Sequence, residues 1–441
     1  MSSELPSVRR SRLLSAAIFY SLLAVIALVA VPYGSVEPWW RAAFLSAVFL
    51  LGAIAFVDFL LTGESNIARY SFLLPLLALG IFGLVQTIPF GSAYSAALAR
   101  NLPRTISYDP HGTRVWAAEM LALVLLAGML LRYTTDEKKL KALVYLVIGI
   151  ALASAIFGIA RQTMQHQLGF GLPYLRPGIG YAQFINKNHF AFLAEMGFGL
   201  ALGVVVWRGL ARERLVIVVG PILILAGAAV LANSRGGMLA VFSQIVFAGV
   251  LRLFVRPAKQ HSKEEGKLSE LTKRLRASPL VRVGLIVLLV ATVALGTIWI
   301  GGAPLVASLE AVPTEIGVAS DNSRWAVRRW DIWPATLKMI KDHPIAGVGF
   351  GGYWMAITEY HNASGEMVPQ EAHNDYLELL SSGGLVGLAI GVWFVISVIA
   401  RARHNLVSED GFERSVCVAA LLGITGVAVH SLFDFGLHLL F

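Results

Sequence analysis

Long apolar segments separated by short polar ones run through most of the chain. About 20 consecutive apolar residues are enough for a helix to cross a bilayer, and an open sheet edge cannot satisfy its backbone groups in lipid. The pattern therefore predicts an all-α, polytopic membrane protein. We assign eleven spans, at residues 13–33, 41–61, 71–90, 115–132, 140–160, 189–207, 214–233, 237–255, 282–302, 375–400 and 415–433.

The composition supports this assignment and argues against other classes of protein. The 441 residues are 56% hydrophobic and 14% charged, whereas soluble proteins have about 25% charged residues. The net charge of +9 does not indicate nucleic-acid binding, because the basic residues are spread over loops between spans. The single cysteine, Cys417, excludes an intrachain disulfide and a cysteine-rich metal site.

The distribution of lysine and arginine predicts the orientation of the chain. With a cytoplasmic N-terminus, the inner segments hold nearly two thirds of the 36 basic residues, as the positive-inside rule requires. The long outer segments are then 91–114, 161–188 and 303–374. We divide the chain into transmembrane helices in 1–302, a large outer loop in 303–374 and C-terminal helices in 375–441.

Three polar residues, His373, Asn374 and Asp375, stand where this outer loop meets an apolar segment. The stretch is VPQEAHNDYLELLSSGGLVGL, from Val368 to Leu388. A histidine at the mouth of a membrane helix can be exposed and reactive while its helix is fixed in lipid. Alternatively, these residues only cap the helix.

The outer loop also carries a cluster of arginines interleaved with tryptophans. Arg324 and Arg328 are four residues apart, on one face of a predicted helix, and Arg329 is adjacent. Arginine suits phosphate because its planar group donates two hydrogen bonds at once. An amphipathic helix lying on the membrane would show the same pattern, so both interpretations stay open. The glycine-rich turn that follows is not a phosphate-binding P-loop.

Polar residues at the ends of other spans are further candidates. Arg235 lies in a tight turn between two apolar segments, where an arginine is expensive without a partner. Lys187 and His189, in FINKNHFAF, are either part of a helix cap or an anion site.

Several other polar residues have a simpler expected explanation. We expect Glu119 and Glu195 to be partly exposed near helix ends, His430 to pair with Asp434 at a spacing of four, and Tyr108, Asp109 and His111 to form an ordinary turn. No sequence motif supports a bound metal.

Five motifs occur in order along the chain: NKNHFA at 186–191, NSRGG at 233–237, RRWDIWPATLKMIKDHPIAGVGFGGY at 328–353, AHNDYLELLSSGGLVGL at 372–388 and HSLFDFGLH at 430–438. Together they resemble the O-antigen ligase and polymerase superfamily of bacterial envelope glycosyltransferases. The resemblance covers residues 186–438. It implies a GT-C-like fold of about 11–12 transmembrane helices in the bacterial inner membrane, with part of the active site in a large periplasmic loop and a twelfth span beyond Phe441.

The resemblance also implies the substrates. The donor is a glycan on undecaprenyl diphosphate, and the acceptor is either the lipid A-core or another lipid-linked glycan. The transfer uses no metal or other cofactor, and the partners are these substrates and membrane lipids. Sequence does not separate ligase from polymerase. A lipid-linked glycan transporter and a non-catalytic assembly partner are the alternatives from other classes.

The roles of individual residues follow from the same resemblance. His373 resembles the essential histidine, and we expect it to act as general base; His343 and His361 are alternatives in the same loop. Arg235 and Arg329 resemble the arginines that hold the diphosphate, with Arg328 in place of Arg329 as the second choice. Residues expected to support them are Arg324, Asn374, Asp375, His189 and Lys187.

Overall fold

The computed structural model describes most of residues 6–254 and 329–436. Within these ranges it leaves out residues 32, 35, 36, 64–66, 96–99, 165–169, 171, 173, 176–179, 209–214, 362–367, 409 and 435, and between them it describes only 284, 287, 288 and 291. The predicted span 282–302 and both Arg324 and Arg328 therefore lie largely or wholly outside the described residues.

The described residues form an all-α bundle, as predicted. The helices are α1 Pro6–Ala30, α2 Pro38–Thr62, α3 Leu74–Gln86, α4 Pro110–Tyr133, α5 Glu137–Met164, α6 Lys187–Arg208, α7 Leu215–Leu231, α8 Arg235–Phe254, α9 Arg329–Asp342, α10 Tyr353–Ala356, α11 Asp375–Leu406 and α12 Gly411–His430, with 3-10 turns at Ile67–Leu73 and Ile357–Glu359. Among the described residues, eight helices are long and apolar enough to cross a membrane. Shorter apolar helices at Tyr70–Gln86 and Val219–Leu231 account for two more predicted spans.

One small sheet interrupts the helical pattern. Strand β1, Gly91–Ser95, pairs antiparallel with β2, Arg100–Arg104. Both strands lie in the segment 91–114 that we predicted to be outside the spans. The argument against strands applies only in lipid, because water can satisfy an exposed sheet edge.

Helix α6 is the centre of the bundle. In its apolar window 72% of the residues are buried, against 17–56% in the other candidate spans. It packs closely on α12: a Cβ on Gly203 would lie 2.3 Å from the Ala419 Cα, and one on Gly199 would lie 2.6 Å from the Gly423 nitrogen. Small residues of this kind allow two membrane helices to approach backbone to backbone. The start of α6 and the end of α12 are thereby held together.

Helix α11 is broken, although we predicted a continuous span. Gly384 has φ +60° and ψ −158°, a conformation that is essentially restricted to glycine. The loop segment 344–349 fills the break: Leu385 and Val386 donate backbone hydrogen bonds to the Pro344 and Ile345 carbonyls, and Val348 and Gly349 donate to the Ser381 and Ser382 carbonyls.

A side chain supports this junction from another helix. Gln86, which is fully buried at the end of α3, donates to the Ala346 and Ser382 carbonyls at 2.7 and 2.9 Å. The glycine-rich turn is thus a structural plug in a broken helix, which satisfies backbone groups that helix geometry leaves unpaired.

Gly384→Ala is expected to destabilise the protein by about 1–3 kcal/mol or more. The added Cβ would lie 2.4 Å from the Ile345 carbonyl, and residues with a side chain rarely adopt this backbone conformation. Gly149→Ala is the matched control, since nothing lies within 4 Å of a Cβ there. Thermal unfolding of the two purified variants measures the difference. Equal melting temperatures would contradict the account of the break.

Candidate active site

His373 is presented by a backbone that two buried contacts hold in place. It has φ +51°, which is uncommon for a residue other than glycine, although histidine adopts it more readily than most. The preceding residue, Ala372, donates its N–H to Glu378 Oε2 at 2.7 Å, and its carbonyl accepts from Trp333 Nε1 at 3.0 Å. The histidine side chain is 37% exposed. The site therefore combines a fixed backbone with an accessible imidazole.

A buried carboxylate faces the inner nitrogen of this imidazole. Asp434 Oδ1 lies 3.4 Å from His373 Nδ1, and the Asp434 side chain is 1% exposed. Its other oxygen accepts a short hydrogen bond from the Asn188 amide. This places Nδ1 against the aspartate, with Nε2 on the opposite side of the imidazole ring.

The predicted pairing of His430 with Asp434 is wrong. Helix α12 ends at His430, so the spacing of four residues no longer places the two side chains on one helical face. His430 Nδ1 instead lies 3.1 Å from Glu195 Oε2, with both side chains buried. The His430 ring also stacks on Phe192, with ring centroids 4.0 Å apart.

Asn374 and Asp375 have structural partners. Asn374 caps α11, because its Oδ1 accepts from the Tyr376 and Leu377 backbone at 3.0 and 3.1 Å. Its amide also donates to the Leu432 carbonyl, and Asp375 N–H donates to the Ser431 carbonyl. The capping interpretation thus holds for Asn374, while His373 faces Asp434.

Glu195 and Glu119 are not partly exposed helix-end residues as expected. Glu195 is fully buried against His430. Glu119 is 5% exposed and accepts two hydrogen bonds of 2.7 Å from Arg41. Both carboxylates are buried because a partner from another helix is available, which spacing along the chain does not reveal.

The structure places only part of the predicted arginine set. Arg235 is the exposed first residue of α8, and a Cβ on the next residue, Gly236, would lie 2.5 Å from the His430 ring. The start of α8 is therefore in contact with a polar cluster, which consists of Asn188, His189, Glu195, His430 and Asp434. Arg329 begins α9. Trp333 of the same helix donates the hydrogen bond to the Ala372 carbonyl that holds the backbone before His373. Arg324 and Arg328 lie outside the described residues.

Lys187 and His189 differ in their surroundings. Asn186 caps the start of α6 by accepting from Asn188 N–H at 2.9 Å. Lys187 is exposed, whereas His189 is 6% exposed and interacts electrostatically with Asp434 and His430. Capping is thus performed by Asn186, and His189 is part of the buried polar cluster.

The remaining polar candidates lie elsewhere. His343 Nε2 lies 3.3 Å from the Tyr108 hydroxyl, which also donates to Glu359; burial and this carboxylate raise the pKa of Tyr108. Asp109 caps α4 by accepting from the His111 and Gly112 backbone, so the expected ordinary turn is a helix start. Within the described part of the chain no group of three or more His, Cys, Asp or Glu is arranged to hold a metal ion.

Sequence reasoning did not assign Asn188 and Asp434 to His373. Both residues lie in motifs that carried the resemblance, NKNHFA and HSLFDFGLH. Because the motifs are far apart along the chain, only the packing of α6 against α12 reveals that they meet at one histidine.

Comparison with known families agrees with the resemblance. Residues 220–392 match the family model described as O-Antigen ligase. A search of curated proteins gave no match. The matched segment contains Arg235, Arg329 and His373. The motifs NKNHFA and HSLFDFGLH lie outside the matched segment. In the structure they contact it, because Asn188 bonds to Asp434 and Asp434 faces His373.

Proposed function

We propose that the protein transfers a glycan from undecaprenyl diphosphate to a hydroxyl acceptor, because residues 220–392 match the family model described as O-Antigen ligase. The reaction takes place on the periplasmic face of the bacterial inner membrane, and the acceptor is the lipid A-core. The observation that carries this proposal is the accessible His373, held between a fixed backbone and the buried Asp434.

His373 acts as the general base in this proposal. The acceptor hydroxyl oxygen attacks the anomeric carbon of the donor sugar while its proton passes to His373 Nε2. Histidine suits this task because its side chain ordinarily changes charge near neutral pH. Asp434 fixes the orientation of the ring and stabilises the positive charge that forms on it, as a carboxylate does in other histidine-based sites.

In this proposal, arginines bind the diphosphate leaving group and stabilise its charge. The bond between the anomeric carbon and the diphosphate oxygen breaks, and its electron pair stays on the diphosphate. Arg235 and Arg329, or Arg328 in place of Arg329, hold that negative charge as it grows. A diphosphate is already a good leaving group, so this transfer needs charge stabilisation and a base but no metal.

A reconstituted transfer assay tests the function. Purified protein in a membrane receives an undecaprenyl-diphosphate glycan, with lipid A-core present or absent. Product that depends on the core supports a ligase. Longer glycan without core would make the protein a polymerase. Movement of the donor across the bilayer without transfer would replace the proposal with a transporter.

Asp434→Asn is expected to reduce the transfer rate by about 10²-fold, the lower end of the range for a lost acid–base contribution. The amide keeps the shape of the side chain but removes the charge that faces His373. Asp410→Asn is the matched control, since Asp410 only caps the opposite end of α12 and asparagine caps equally well. Transfer at the wild-type rate by Asp434→Asn would exclude this role for the carboxylate.

A further inference from the structure

A cavity of about 180 Å³ opens between the ends of α5 and α7 and the start of α6. Asn233, in its lining, is two residues before Arg235, and Lys187 is one residue before Asn188 of the polar cluster. The residues that line the cavity are Gly158, Arg161, Gln162, Gly180, Tyr181, Ala182, Lys187, Leu231, Ala232 and Asn233. The cavity thus adjoins the site without including His373.

The charged residues in the lining of the cavity are all basic. Arg161 and Lys187 both contribute to it, and no aspartate or glutamate occurs anywhere in residues 161–188. Arg161 is 3% exposed and donates to the Ala182 carbonyl at 3.1 Å, which fixes its position. A buried arginine in a membrane span is costly and is most often functional.

Two of the lining residues each have a buried polar atom that makes no hydrogen bond among the described residues. These atoms are the Tyr181 hydroxyl and the Gln162 Oε1. Tyr181 is 7% exposed, and its ring packs so closely on α5 that a Cβ on Gly158 would lie 2.2 Å from it. An unsatisfied buried group of this kind costs about 1–3 kcal/mol, so such groups call for an explanation.

The Tyr181 hydroxyl is available as a donor. Burial raises the pKa of Tyr181 to about 12, so the group keeps its proton at neutral pH. A protonated hydroxyl and two cations around a small cavity match the oxygens of a phosphate, which only accept hydrogen bonds.

We propose that this cavity binds a phosphate group, and that the group belongs to the diphosphate of the lipid-linked donor. Arg161, Lys187 and Tyr181 extend the diphosphate contact from Arg235, at the start of α8, across to the end of α5. This assignment of the source rests on the proposed function. The headgroup of an ordinary anionic phospholipid has the same chemistry and is the alternative source.

Binding to the full-length protein in detergent tests the proposal, with a short isoprenyl diphosphate as the probe. Tyr181→Phe is expected to weaken binding about tenfold, because a hydrogen bond to a charged group is lost. Its melting temperature without the probe should not fall, because the removed hydroxyl makes no hydrogen bond to any residue that the structure describes. Lys187→Gln should weaken binding several-fold and reduce its dependence on salt.

Control variants and competitors make the outcomes distinct. Lys138→Gln, an exposed lysine at the opposite end of α5, should bind as the wild type does. Unchanged binding by both Tyr181→Phe and Lys187→Gln would overturn the proposal. Displacement of the probe by phosphatidylglycerol vesicles but not by isoprenyl monophosphate would overturn the donor as the source.

Failure of the proposed function would look different. If the wild type binds the isoprenyl diphosphate through Tyr181 and Lys187 but transfers no glycan to any acceptor, the anion site stands and the transferase does not. If it transfers glycan while both variants bind and transfer normally, the transferase stands and this site does not.

Discussion

Replacing His373 is expected to lower the glycan transfer rate by about 10²–10⁴-fold, the usual contribution of a positioned general base. The expected cause is loss of the imidazole that accepts the acceptor proton. Because the side chain is 37% exposed and the packing around it is made by neighbouring residues, the protein should still fold. Initial rates with purified protein and a saturating donor measure the effect.

The choice of variant matters at this position. Alanine tolerates the φ of +51° poorly, while asparagine adopts this conformation several-fold more often than most residues. His373→Asn should therefore lose transfer while keeping the wild-type melting temperature. The control is His404→Ala, which replaces an exposed histidine near the C-terminal end of α11, the helix that follows His373. This variant should transfer normally. Transfer by His373→Asn at the wild-type rate would remove His373 from the chemistry.

Removing His430 is expected to have the largest effect on stability. The pair of His430 and Glu195 is buried, with side-chain exposures of 1% and 0%. His430→Ala leaves the carboxylate without its hydrogen bond and takes away the ring that stacks on Phe192. Leaving a buried hydrogen-bonding group without its partner typically costs about 1–3 kcal/mol, and more when the group is charged. Thermal unfolding in detergent should show a drop of many degrees.

A second variant separates the charge from the packing. In His430→Ala with Glu195→Gln, the buried group that lost its partner is neutral, so part of the lost stability should return. A double variant no more stable than His430→Ala would mean that stacking and volume alone explain the loss. His430→Ala should also reduce transfer, because Gly236 packs on the ring and Arg235 is its neighbour.

The broad architecture could be read from the sequence because it depends on local composition. Apolar runs long enough to cross a bilayer allowed the helices to be predicted. The short polar break between α7 and α8 allowed the tight turn before Arg235 to be predicted. The capping role of Asn374 was one of two interpretations and was also local, since a cap bonds to backbone two or three residues away.

The features that could not be predicted from the sequence depend on contacts between distant parts of the chain. The partner of His430 is Glu195, more than 200 residues away, and the simple spacing to Asp434 suggested the wrong pair. The glycines after α9 were interpreted without knowing that they dock on α11. Arg328 and Arg324 stay predictions, and the choice between them and Arg329 is a question for mutagenesis.

The break in α11 has a consequence for how the protein is made. The two halves of the helix leave backbone groups at residues 381–386 that the segment 344–349 satisfies, together with the Gln86 side chain. That segment is synthesised before α11, so its plug already exists when the broken helix enters the bilayer. Residues 344–349 are therefore translated before the broken helix that they pair with. A chain that lacked residues 344–349 would be expected to insert less readily, because the backbone groups at the break would meet lipid without hydrogen-bond partners.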